Sequence, residues 1–128
     1  MASLADMIPL AKTIGVEVTE ATPDLVRGRL EVRPDLCTIG GALHGGAIMA
    51  FADTLGAIGA YLSLPEGANG TTTVESKTNF LGAAKAGAIV TAESTPVHKG
   101  QRTSVWQTRI SGESGKLIAL VTQTQMVL

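Results

Sequence analysis

The sequence predicts an α+β domain in which a curved antiparallel β-sheet wraps around one long central helix. Three observations support this fold class. The 128 residues fit a single domain, 1–128, that can bury a sizeable core. Residues 45–65 contain only one charged side chain, as expected of a helix that is covered on more than one side. Four strand-like runs separated by glycine-containing turns follow that segment.

The chain before the central helix predicts a short helix and two strands. The N-terminal helix lies within residues 1–15, where Ser3 is the candidate N-cap and Gly15 is the stop signal. Apolar and polar residues then alternate through residues 16–32, on either side of a turn at residues 22–24. A period of two in this pattern is typical of strands that are buried on one face.

A loop rich in turn-forming residues, 33–43, leads into the predicted central helix, residues 44–64. The apolar segment is long enough to span a bilayer. Asp53 lies near its middle, however, and a charge is costly in lipid. We therefore interpret the segment as the buried helix of a soluble domain and predict no membrane partner.

The remainder of the chain consists of four β-branched or apolar runs. Because the glycine-containing turns between them are short, we expect an antiparallel meander in which each strand pairs with the next. The predicted strands are residues 71–81, 87–97, 102–111 and 116–128.

Charge and cysteine content argue against several classes of function. A net charge of −1 and only four aromatic residues argue against nucleic-acid binding, which needs an excess of Lys and Arg. Cys37 is the only cysteine, so no intrachain disulfide can form, and no signal peptide is evident. We therefore expect a cytoplasmic protein. Two unclustered histidines give no metal-ligand spacing, and we predict neither a metal nor a cofactor.

The junction between the loop and the central helix is the first candidate site. Gly45 and Gly46 allow another group to approach the backbone closely. The first turn of a helix also has N–H groups without intrahelical partners and a partial positive charge. Such amides can polarise a carbonyl oxygen. The alternative is that the two glycines only permit a sharp turn.

Asp53 is the second candidate, because an unpaired carboxylate in an apolar helix is costly. It is either a structural group with a local hydrogen bond or a general base or nucleophile. Gly45 precedes it by eight residues, about 12 Å along a helix axis. One reacting carbonyl cannot lie about 3 Å from both. If both residues act, the site must be shared across a two-fold dimer interface.

The motif His44-Gly45-Gly46, followed by Phe51-Ala52-Asp53-Thr54, resembles the signature of the hotdog-fold acyl-CoA thioesterases, specifically their phenylacetate-pathway (PaaI-like) branch. The similarity continues through residues 73–81 and 97–103. The resemblance implies the hotdog fold, in which an antiparallel sheet wraps a long helix. It also implies a homodimer as the minimal unit, often assembled as a dimer of dimers.

Carried over by position, the resemblance makes Asp53 the general base or nucleophile and the Gly45 amide the oxyanion donor. His44 would orient the loop or assist near the thiol leaving group. Many relatives carry Asn or Gln at the position of Thr38, and some carry Ser or Thr at that of Ala57, so water positioning differs here. The residues expected to contact substrate or CoA are Thr38, Gly46, Phe80, Lys99, Gly100 and Arg102.

The turn at residues 98–102 places two cations around a glycine. It is either a solvated hairpin or a phosphate clamp for CoA, and the resemblance favours the clamp.

The expected function is therefore hydrolysis of an acyl- or aryl-CoA thioester to the free acid and CoA. Two alternatives remain at this stage. A non-catalytic acyl-CoA-binding hotdog module would not need the Asp53 carboxylate. A hotdog hydratase or dehydratase would need a His–acid pair across the dimer.

Overall fold

The computed structural model describes residues 4–128. They form one six-stranded antiparallel sheet that packs against a single long helix, α2 (Gly45–Leu62), so the predicted α+β architecture is confirmed. The strands are β1 Glu17–Thr22, β2 Leu25–Glu31, β3 Thr71–Phe80, β4 Ile89–Lys99, β5 Thr103–Ser111 and β6 Leu117–Val127.

The predicted N-terminal helix is interrupted. A 3₁₀ helix at Leu4–Met7 is followed by a separate helix, α1, at Pro9–Ile14. Proline lacks a backbone N–H and suits the first position of a helix, so Pro9 begins a new helix instead of continuing the first one. Gly15 ends α1 with a φ of +88°, as predicted. The predicted cap at Ser3 lies outside the described residues.

The central helix, α2, spans Gly45–Leu62, slightly less than the predicted 44–64, and His44 is its N-cap. Its length and mean hydropathy of 1.3 would suffice to cross a membrane, but half of its residues are buried inside the domain. A Cβ at position 59 would overlap the Trp106 ring, so only glycine fits at this point of the helix. The sheet therefore approaches the helix backbone closely at this point.

The strand order is β1-β2-β4-β5-β6-β3. The predicted meander is confirmed for β4, β5 and β6, but the expected pairing of β3 with β4 is wrong. β4 pairs with β2 instead, and β3 lies at the edge of the sheet beside β6. The connection between β3 and β4 is anchored by backbone bonds from Leu81 to Ile118 and from Leu43 to Ala84, so it does not form a hairpin.

Both edge strands contain a β-bulge. In β1 the register shifts between Val18 and Glu20, and in β3 it shifts between Thr73 and Glu75. Along β3, Thr73 pairs with Gln125 before the bulge and Phe80 pairs with Ala119 after it. The extra residue changes the alternation, so that Thr73 and Phe80 face α2 together although they are seven positions apart.

Candidate active site

The N-terminus of α2 is capped by its own histidine. The Gly46 N–H donates to His44 Nδ1 at 2.7 Å, so the neutral imidazole carries its proton on Nε2. The Gly46 amide is therefore engaged within the chain. The Gly45 N–H, in contrast, has no hydrogen-bond acceptor among residues 4–128. One free amide thus remains at the positive end of the helix, where the sequence predicted an oxyanion donor.

Close contacts explain both glycines at this junction. A Cβ on Gly45 would lie 3.1 Å from the Phe80 ring, and a Cβ on Gly46 would lie 3.0 Å from His44 Nδ1. Phe80, a predicted substrate contact, therefore lies against the Gly45 backbone with about half of its surface exposed. The structure brings together four of the predicted site residues here: His44, Gly45, Gly46 and Phe80.

Asp53 lies two turns further along α2 and is partly buried. Its Oδ1 accepts a hydrogen bond from the Thr73 hydroxyl at 2.9 Å. Its Oδ2 makes no hydrogen bond within the described part of the chain. The carboxylate is thus held by one oxygen and free at the other. Sequence reasoning did not single out Thr73, because threonine is common in strands whether or not it has a site role.

A pair of buried amides lies behind Thr73 and was also missed. Gln123 and Gln125 are 0% and 1% exposed on the face of β6 that packs on α2. The sequence does contain a sign of this burial. Val121, Gln123 and Gln125 are spaced two residues apart, so all three side chains point to the same face of the strand as the buried valine.

Gly45 and Asp53 are not brought together within one chain. Both lie on α2, eight residues apart, and each is adjacent to a different end of β3. Phe80 lies against Gly45 at one end, and Thr73 binds Asp53 at the other. The axial separation of about 12 Å expected from helix geometry is therefore retained.

Thr38 lies in the loop before the helix and is exposed. Its backbone is held by bonds to Ala42 and Gly41, at 2.8 and 3.0 Å. Its hydroxyl has no hydrogen-bond partner among the residues that the structure describes, so it is free to bind another molecule.

The two predicted cations of the β4–β5 hairpin, Lys99 and Arg102, differ in their ion pairing. Lys99 Nζ forms an ion pair with Asp24 Oδ1 at 2.7 Å and lies 6.0 Å from the Trp106 ring centre. Arg102 is exposed, and its guanidinium has no ion pair in the described chain. The Gly100 N–H donates to the Thr103 carbonyl at 2.8 Å and closes the turn. Of the two cations, only Arg102 has no ion-pair partner within residues 4–128.

Strand register places this hairpin at the Asp53 end of the sheet. Lys99 pairs with Ser104, Ser104 with Gln125, and Gln125 with Thr73, the residue that binds Asp53. The hairpin therefore lies at the opposite end of the sheet from Gly45 of the same chain.

Two cavities flank α2. The larger, of about 580 Å³, lies between the N-terminal helical segment and the second half of α2. Its lining is mostly apolar: Leu4, Met7, Ile8, Ala57, Ile58, Tyr61, Leu62, Gly70 and Thr71. The smaller, of about 300 Å³, lies beside His44 and Gly46.

The sequence model of the thioesterase superfamily matches residues 40–119, which is more than half of the chain and includes the whole of α2. The chain belongs to the thioesterase superfamily. As a hotdog thioesterase, it has one long helix in an antiparallel sheet, and its enzymatic activity is thioester hydrolysis.

Relatives support this assignment along most of their length. The 1,4-dihydroxy-2-naphthoyl-CoA hydrolase of Listeria monocytogenes is 32% identical over 111 residues, covering 87% of this thioesterase and 89% of the relative. The phenylacetic acid degradation protein PaaI of Thermus thermophilus, solved as a mutant, superposes with a TM-score of 0.86 at 28% identity, covering 94% and 99% of the two chains. Rv1847 of Mycobacterium tuberculosis, provisionally named an esterase, superposes at 0.90 with 26% identity, covering 94% and 97%. The PaaI-like resemblance is thus confirmed.

Proposed function

We propose that this thioesterase hydrolyses an acyl- or aryl-CoA to the free acid and CoA at a site shared by two copies of the chain. One observation carries the proposal: a single helix presents an unpaired amide at Gly45 and a half-free carboxylate at Asp53, too far apart to serve one carbonyl. Water is the only co-substrate that this reaction needs.

The free edge of β3 supports such a dimer. Within residues 4–128, β3 pairs only with β6. Val74 and Phe80 on this strand, and Leu81 directly after it, are each more than half exposed. Two copies of one edge strand that meet about a two-fold axis run antiparallel. The Phe80 end of one subunit then lies beside the Thr73 end of the other. Each Gly45 amide would approach the partner subunit's Asp53, and two equivalent sites result.

The chemistry follows from these groups. The thioester carbonyl oxygen accepts the Gly45 N–H, which stabilises the negative charge that develops there. Asp53 of the partner subunit then either attacks the carbonyl carbon, forming a mixed anhydride that water hydrolyses, or removes a proton from the attacking water. The carbon–sulfur bond breaks and the thiolate leaves. The outward-facing Nε2–H of His44 is a suitable donor to that sulfur.

The larger cavity supplies a place for the acyl group. Ala57 lines it one turn after Asp53, and Thr71 lines it two residues before Thr73. Its lining contains no charged side chain, and its volume lies within the range of about 300–1,000 Å³ typical of small-molecule sites. We therefore propose an uncharged, apolar acyl or aryl group as the substrate class.

The 1,4-dihydroxy-2-naphthoyl-CoA hydrolase activity named for the Listeria relative is one aryl-CoA reaction of this class. The phosphates of CoA would bind at the β4–β5 hairpin, where Arg102 forms no ion pair with the described residues and the Gly100 turn lies beside it.

An acyl-CoA panel tests the proposal. Release of free thiol is measured for short aliphatic, long aliphatic and aryl thioesters with wild type and Asp53→Asn. Loss of a general base or nucleophile costs about 10²–10⁴-fold, so the variant should lose at least 100-fold in kcat/KM on the best substrate. Glu31→Gln, the same change on the exposed face of β2, is the matched control. Near wild-type turnover by Asp53→Asn would contradict the assignment.

A further inference from the structure

The two buried amides of β6 have no part in the function proposed above. Gln123 and Gln125 are fully buried, because both side chains lie on the face of the sheet that packs on α2. A buried polar side chain without a partner costs free energy, so each amide must be satisfied within the domain.

The hydrogen bonds of this pair can run in only one direction. Gln123 Nε2 donates to the carbonyl oxygen of Ala52 at 3.0 Å, and a carbonyl can only accept. Gln123 Oε1 is therefore the acceptor that faces Gln125, whose Nε2 donates to it at 2.6 Å. The Thr71 hydroxyl lies 3.1 Å from Gln125 Oε1 and 3.0 Å from the Met126 carbonyl oxygen, so these two acceptors share its one proton. The backbone carbonyl of α2 thus fixes the orientation of both amides.

This direction determines where the Thr73 proton points. Gln125 Nε2 donates its second N–H to Thr73 Oγ1 at 2.5 Å. A hydroxyl has one proton, and with its oxygen already an acceptor, that proton is directed to Asp53 Oδ1 at 2.9 Å. The chain of bonds leaves Oδ2 as the carboxylate oxygen without a partner in the described residues.

Gly56 provides an independent observation. A Cβ at this position would overlap the side-chain amide of Gln123. Glycine in a helix interior is about 1 kcal/mol less favourable than alanine. The helix therefore has a glycine, the least favourable helix residue after proline, at the position that contacts Gln123. A core that needed only filling would be served by apolar side chains of similar size.

We propose that Gln125, held by Gln123, is a positioning residue for hydrolysis. Through the Thr73 hydroxyl it fixes the orientation of the Asp53 carboxylate and selects Oδ2 as the oxygen that meets the thioester or the attacking water. This inference rests on the proposed function of Asp53. Different results would contradict the two proposals. An active Asp53→Asn variant would contradict the proposed function, whereas an unaffected Gln125 variant would contradict only the positioning role.

Gln125→Met tests the inference, because methionine has a similar shape and no donor. Misplacement of a reacting group costs up to about 100-fold, so kcat should fall about 10-fold to 100-fold with KM changed less than about two-fold. Gln107→Met is the matched control, since it removes a Gln–Thr contact between β5 and β6 on the outer face of the same sheet. It should leave both constants near wild type.

A double-mutant cycle separates positioning from general loss of packing. Thr73→Val should reduce kcat about as much as Gln125→Met, Thr73→Ser should retain most of it, and the double variant should lose no more than either single one. Full turnover in Gln125→Met or in Thr73→Val, or multiplicative losses in the double variant, would overturn the proposal. Thr73 lies at a partly exposed position on an edge strand, so full turnover in Thr73→Val would overturn the proposal even if Gln125→Met does not fold.

Discussion

At the N-terminus of α2, His44 accepts the Gly46 N–H through Nδ1 and presents Nε2–H to the outside. One side chain therefore combines a structural role in the helix with a candidate role at the thiol leaving group. The same bond leaves Gly45 as the amide without an acceptor in the part of the chain that is described. At the scale of single residues, the cap determines which amide is available.

Variants of His44 separate its two roles. Asparagine is a good N-cap, so His44→Asn should keep its stability near wild type while it loses the imidazole N–H, and kcat should fall. His44→Ala loses the cap as well, and its free energy of unfolding should drop by about 0.5–2 kcal/mol. Urea unfolding and thiol-release kinetics measure the two effects. Wild-type turnover in His44→Asn would leave His44 with the capping role alone.

The elements differ in how well the sequence predicts them. The alternation of β2 and the apolar character of α2 are local patterns, and both elements were predicted close to their observed bounds. The N-terminal helix is predicted as one piece, because its apolar residues continue across Pro9, where the second helix begins. Asp53 and Gly45 were noticed because they are unusual in an apolar helix. Gln125 was not, because glutamine in a strand resembles a solvent-facing residue.

The β4–β5 hairpin carries a prediction at this scale. Arg102→Ala should raise KM for CoA thioesters about three-fold to ten-fold, the effect of one ordinary hydrogen bond at an exposed position, with kcat little changed. Lys99→Ala should have a smaller effect, because its ammonium is already paired with Asp24.

Thioesters of N-acetylcysteamine, which lack the nucleotide, are the control substrates for these variants. Arg102→Ala should hydrolyse them like wild type, and so should Arg109→Ala, which removes an exposed cation from β5. Equal losses on both kinds of substrate would show that the hairpin does not bind the nucleotide.

At the scale of the whole molecule, sheet order was the least predictable feature. Any two strands with alternating side chains can pair, so the position of β3 beside β6 depends on contacts between distant parts of the chain. This position nevertheless gives the proposed dimer its geometry, because it leaves β3 with a free edge. It also aligns Phe80 and Thr73 with the two ends of one candidate site.

Mixed oligomers test the shared site. Gly45→Pro removes the amide proton, and proline is well tolerated at the first position of a helix. Asp53→Asn removes the acid. Each variant alone should be inactive, yet random mixing should restore about a quarter of wild-type activity, because half of the dimers then contain one intact site of two.

The Gly45→Pro variant must accommodate its new side chain. A Cβ on Gly45 would lie 3.1 Å from the Phe80 ring, so this half-exposed ring must shift to admit proline. Circular dichroism and sedimentation establish the fold and the oligomeric state of each variant before mixing. Reversible denaturation of the mixture then redistributes the subunits at random. Well-mixed, folded oligomers that remain inactive would contradict the shared-site proposal.

The bulges in the two edge strands bear on how the protein resists aggregation. An edge with a long run of regular backbone can recruit strands from other molecules and grow without limit. Here β1 is six residues long and interrupted after Val18, and the bulge of β3 divides its regular pairing into residues 71–73 and 75–80. A bulge bends and twists the strand, so neither edge offers a further strand one long, flat run of backbone groups. We therefore expect the protein to remain dispersed at concentrations where an uninterrupted edge would seed amyloid-like growth.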